Sequence, residues 1–224
     1  MDSSFPKLMP VGFVGHGSPM IALEKEGAPK AWYRWAQALP KPKAVLMVSA
    51  HWLEKPVHLG PNQEVPLIYD FYGFPEELYQ VQYNAKASAE LSQEVFSMLS
   101  QAKLKPIEAH QRGLDHGAWA PLLHMYPKGD VPILEVSIGT RVPMAEHIAL
   151  GRALAPLRER GVFILGSGNI THNLRLANYG HRDAPVVKWA EAFDNWTAYH
   201  LKDFDLNTLA DYAKAPGAHL SVPT

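Results

Sequence analysis

Two stretches of the chain, AVLMVS at residues 44–49 as far as its closing serine and VFIL at residues 162–165, are apolar without interruption. A strand with one wet face alternates apolar and polar residues. An unbroken run instead reads as a central strand covered on both faces, which is the habit of parallel sheets flanked by helices. Further strands are expected at 12–15 and 131–137, with shorter candidates at 57–59 and 67–69. Helical spacing lies between them. Trp32, Trp35, Ala36 and Leu39 share one stripe. Leu91, Val95, Met98 and Leu99 share another, and Val186, Trp189, Ala190, Phe193 and Trp196 a third. Residues 144–160 are helical in pattern, with a kink expected at Pro156. Strands alternating with helices predict an α/β fold. We expect a central, mostly parallel or mixed sheet with helices on both faces, in a single domain over residues 1–224.

The same strands end in a pattern of their own. VGFVGHGSP, VLMVSAHW and VFILGSGNITHNL each run from apolar residues to a histidine: His16, His51 and His172. Ligands of open α/β sheets collect at the carboxyl ends of the strands. If the strands are parallel neighbours, three imidazoles converge there. Imidazole nitrogen suits zinc, iron, copper or nickel. Any one of these histidines alone is read as a hydrogen-bonded core residue, but three at equivalent positions point to metal or acid–base chemistry. His116 sits in GLDHGAW, a glycine-bounded turn before a helix expected from about Ala118. That context suits an acid or base that swings toward a substrate, or simply a turn histidine at a helix start. His58, His110, His124, His147, His181 and His200 are expected at the surface or in packing roles, and His219 is left open.

Composition removes several alternatives. There is no cysteine, so disulfides, thiolate catalysis and iron–sulfur clusters are excluded. A cysteine-free chain fits the cytoplasm. A net charge of −1, with no basic run, offers nothing to nucleic acid. No apolar run approaches about 18 residues, so no membrane span is expected. The N-terminal MDSSFPKLMP lacks the layout of a signal peptide.

Other motifs are weaker. Ser18 does not lie in a Gly-x-Ser-x-Gly elbow. Gly166-x-Gly168-x-x-Thr171 lacks the third glycine of a dinucleotide loop, and its glycines are read instead as letting Asn169 and His172 approach a site. Residues 61–83, rich in proline and aromatics, read as a long excursion of the kind that forms walls or lids. Its Tyr69, Phe71, Tyr72 and Phe74 are candidates to stack on an aromatic ring.

Taken in order, GHGSPM, SAHW, GLDHGAW and GSGNITHNL resemble the class III extradiol ring-cleaving dioxygenases, in particular the DOPA 4,5-dioxygenase branch. The resemblance covers essentially the whole chain. It implies that His16 and His51 are metal ligands. His172 matches a histidine at the metal, a catalytic base in some members and a further ligand in others. His116 matches a second active-site histidine that binds substrate or moves protons. The implied metal is non-haem Fe(II), with Zn(II) also found in this branch. The implied reactants are a DOPA-like catechol and O₂. The family's last ligand follows a C-terminal Pro-Thr run, whereas this sequence stops at AHLSVPT, so the family's C-terminal end is expected to be lacking. Two other readings share the same histidines: a zinc hydrolase acting through a metal-bound hydroxide, and a non-catalytic metal-binding relative. The oligomeric state is not legible.

Overall fold

The computed structural model describes residues 8–178 and 184–223. Expectations that fall on His181 and Thr224 lie outside the described residues. The chain packs as two compact units, Met1–Gly168 and Asn169–Thr224.

The first unit is organised by one sheet. Its strands are β1 (Val11–Gly15), β2 (Ala44–Ser49), β3 (His58–Gly60), β4 (Lys86–Ala87), β5 (Ile107–Glu108), β6 (Pro132–Val136) and β7 (Val162–Gly168). Their order is β1-β7-β2-β6-β3-β5, with β4 also pairing to β6. All pairs are parallel except β3 with β6. The mixed, mostly parallel sheet expected from the apolar runs is therefore present. Residues 67–69 form only an isolated bridge, Leu67 to Leu114, because the proline-rich excursion leaves the sheet there.

Helices follow in chain order: α1 (Ala28–Ala38), α2 (Glu76–Tyr79), α3 (Ala89–Gln101), α4 (His116–Met125), α5 (Met144–Leu154), α6 (Lys188–Lys202), α7 (Leu206–Ala210) and α8 (Ala218–Ser221). The first unit's α1 packs on α4, and α3 on α5. Ser88 caps α3 by accepting from the Leu91 N–H. The helix expected over residues 144–160 with a kink at Pro156 is instead α-helical only to Leu154. Ala155–Arg160 continues as a 3₁₀ turn, the form short runs take when an i→i−4 bond is lost.

Period-two alternation splits the core into two layers. Val45 and Met47 of β2, Ile133 of β6, and Phe163 and Leu165 of β7 join one buried cluster with Trp32, Ala36, Trp119 and Leu122. Ala44, Leu46, Leu134 and Val162 join the other, with Leu91, Val95, Leu99, Leu150 and Leu154. The central strands are thus covered on both faces, which is why their sequences never alternate.

In the second unit, Phe193 of α6, Ala215 and Ala218 form a small core with Ile170, Trp196, Tyr212 and Val222 around it. Val186 precedes α6 and is exposed, so the predicted stripe starts one turn later than its periodicity suggested.

Candidate metal centre

The first layer's alternation has a second consequence. Continuing it to the carboxyl ends of the strands places polar residues on the same face: His16 after Val14, Ser49 after Met47, Glu135 after Ile133, and Ser167 after Leu165. Parallel register sets Ser49 opposite Ser167 and Met47 opposite Glu135. The N-terminus of α4 covers these ends from above, bringing His116.

His16, His51 and His116 each offer a ring nitrogen, and these atoms all lie within 4.8 Å of one another. His16 and His116 are buried, while the His51 side chain is 28% exposed and opens the group to solvent. The rings lie close, with centroids 5.0 Å apart for His16 and His51 and 4.1 Å for His51 and His116.

Each ring is fixed by a partner. His16 Nδ1 meets Ser167 Oγ at 2.8 Å, and its Nε2 meets His51 Nε2 at 3.0 Å. Asp70 Oδ1 accepts from both the backbone N–H of His116, at 3.0 Å, and its Nδ1, at 2.8 Å. Asp70 Oδ2 is 3.6 Å from His51 Nδ1. With Nδ1 engaged, Nε2 of His116 is the nitrogen left for the cluster. Outer carboxylate and hydroxyl partners of this kind are what fix a metal-binding imidazole's tautomer and orientation. The donor set fits a transition metal: three imidazoles, held from behind, with no thiolate. Burial would lift the Asp70 carboxyl, but hydrogen bonds from the ring and backbone of His116 outweigh it and hold the group below its usual range.

Small residues make room. A Cβ on Gly117 would stand 2.5 Å from Ser49 Oγ, 2.9 Å from His51 Cδ2 and 3.1 Å from His16 Cε1. Gly166 and Gly168 were expected to let Asn169 and His172 approach a site. They lie within β7, where Cβ atoms would press on Phe13 and Ala50. The GSG run is therefore strand, not a phosphate loop.

Under the cluster lies a polar layer that the sequence reading missed. Asp115 caps α4 by accepting from the Ala118 N–H. Ser49 Oγ donates to Asp115 Oδ1 at 2.6 Å and accepts from the His51 N–H at 3.2 Å. Arg112 donates to Asp115 Oδ2 and to Glu135 Oε2, both at 3.1 Å, and its guanidinium lies 4.1 Å from the centroid of Trp52. Full burial pushes the Glu135 carboxyl well above its usual range; neighbouring Asp115 adds to this and Arg112 opposes it.

His172 follows β7 in the second unit. Its side chain is exposed, and its backbone N–H donates to the Ser221 carbonyl. The other described histidines play the roles expected of them. His124, for example, bonds the Ile21 carbonyl and packs on Trp32. His219 is exposed. Of the aromatic excursion, Phe71 stands edge-on to His116 at 5.6 Å. Tyr69 packs on Trp119 and donates to the Val81 carbonyl, and Tyr72 is almost fully exposed.

Residues 13–219 match the family described as the catalytic LigB subunit of aromatic ring-opening dioxygenase. A 4,5-DOPA dioxygenase extradiol of Escherichia coli (strain K12) is 36% identical over 219 residues, spanning 96% of this chain and 80% of that protein. One from Beta vulgaris is 37% identical over 218 residues, spanning 94% of this chain and 80% of that protein. The crystal structure of an uncharacterized Escherichia coli K12 protein superposes with a TM-score of 0.82 at 33% identity, covering 96% of this chain and 83% of that one.

Proposed function

Since the chain belongs to the LigB family of aromatic ring-opening dioxygenases, we propose that this extradiol dioxygenase opens the ring of a DOPA-like catechol with O₂, using non-haem Fe(II) at the histidine cluster. The observation that carries the reading is the convergence of His16, His51 and His116 at the strand ends, each backed by a hydroxyl or carboxylate. A metal held there would supply coordination positions for a catechol and O₂ and a path for electrons between them.

The chain's own residues do the rest. His16 and His51 are assigned as ligands. His116 is assigned as proton donor and substrate anchor: Asp70 fixes its ring through Nδ1, so Nε2 is the atom left to hold or release a proton at the reacting oxygens. Phe71 walls the approach beside His116. On the motif resemblance, His172 is assigned as the base and as a further ligand. Zn(II) fits the same imidazole donors. No helix among the described residues is long and apolar enough to cross a membrane. The cysteine-free composition fits a cytoplasmic setting.

The test is anaerobic reconstitution with Fe(II), followed by DOPA or protocatechuate and air, with O₂ uptake and the yellow semialdehyde absorbance recorded together. Stoichiometric uptake with colour, lost in His51→Ala, is expected. Metal binding without uptake, or hydrolysis of esters under nitrogen, would replace this reading with a zinc hydrolase or a non-catalytic relative.

A further inference from the structure

We propose that Arg112, clamped by the buried Glu135, is a positioning residue that sets the geometry of the histidine cluster from below. The inference rests on the reading of that cluster as the metal centre.

The guanidinium reaches both histidine-bearing segments at once. Its Nη2 holds Asp115, the residue before His116 and the cap of α4. Its plane lies over Trp52, the residue after His51. Between these two grips, Ser49 ties the Asp115 carboxylate to the His51 backbone. His51 and His116 come from different elements far apart in sequence, and this layer is what links their main chains.

Glu135 fixes the guanidinium itself. It sits in a central strand with no solvent exposure, a costly place for a carboxyl unless it serves a partner. Its Oε2 accepts from Arg112, while Oε1 has no hydrogen-bond donor. A neutral carboxyl resolves that orphan, because its O–H can donate to Asp115. The layer then holds one cation and one anion, balanced. Arg112 also donates to the Gly113 carbonyl at 2.6 Å, which leaves its fork little freedom. A lysine there would keep the charge but lose the planar two-point grip and the stacking.

The test compares wild type with Arg112→Lys, Glu135→Leu and Glu135→Gln. In metal-free protein, long-range ¹H–¹⁵N spectra of the imidazoles report ring tautomer and environment. Zinc affinity is then measured by calorimetry. Arg112→Lys and Glu135→Leu are expected to shift the His51 and His116 ring signals but not that of His124, which packs on Trp32 and bonds the Ile21 carbonyl, and to weaken zinc about 10-fold or more. Glu135→Gln accepts from Arg112 and donates to Asp115 as a neutral carboxyl does, and should restore both readouts to near wild type. Unchanged His51 and His116 signals in Arg112→Lys overturn the inference, even if Glu135→Leu fails to fold. Failure of the wild type to bind metal would instead overturn the metal-centre reading, and the metal-free spectra would still decide this one.

Discussion

Asp70 Oδ1 holds His116 twice, through the backbone N–H and through Nδ1, so one carboxylate ties down both the first backbone N–H of α4 and the direction its first ring faces. Its other oxygen faces His51. Asp70→Ala should therefore lower turnover by about 10- to 100-fold, the usual cost of losing an outer partner of a metal-site histidine. The circular dichroism spectrum should stay unchanged. Wild-type turnover in Asp70→Ala would show that the rings are oriented by something else.

Gly117→Ala separates stability from function. Alanine favours a helix by about 1 kcal/mol over glycine, yet the new Cβ would crowd Ser49, His51 and His16. We expect a folded protein whose metal affinity falls sharply, measured by calorimetry beside a thermal melt. Wild-type affinity would mean that the histidines have room to move aside.

Phe71 and Tyr72 are neighbours in sequence with different surroundings. Phe71 packs on His116, Phe74 and Trp119, whereas Tyr72 projects into solvent. Phe71→Ala should raise KM for the catechol several-fold, and Tyr72→Ala should leave it unchanged. Steady-state kinetics of the two variants decide this, and equal effects would remove Phe71 as a wall of the site.

Glu135 carries a pH signature. Burial raises its folded-state pKa well above that of the unfolded chain. Between those two values the unfolded state loses the proton first, so this group's contribution to stability falls as pH rises. Glu135→Gln removes that contribution. In metal-free protein, the stability of Glu135→Gln relative to wild type should grow as pH increases from about 4.5. Denaturant midpoints across that range measure it, and a constant difference would mean that Glu135 is ionised in the fold.

The sheet and the placing of His16 and His51 at its strand ends were legible because both follow from local pattern. An unbroken apolar run means two covered faces, and the residue just past its end falls at the sheet's carboxyl edge. Asp70 was hidden. It lies in an aromatic loop, and its partner is 46 residues away. Glu135 left a signal that was passed over: one charge inside PILEV, a strand otherwise apolar and central, needs a buried counter-charge. His116 was placed in a turn, but the helix starts on it, because Asp115 rather than His116 supplies the cap. Ser49 and Ser167 look like ordinary strand ends until parallel register sets them side by side.

The most direct test of the central claim is the metal content and O₂ uptake of His116→Gln beside the wild type, both reconstituted anaerobically with Fe(II). If His16 and His51 hold the metal and His116 moves the proton, the variant keeps its iron and loses catechol-dependent O₂ uptake. Wild-type uptake in His116→Gln would contradict the account, and loss of iron would make His116 a ligand instead of the acid.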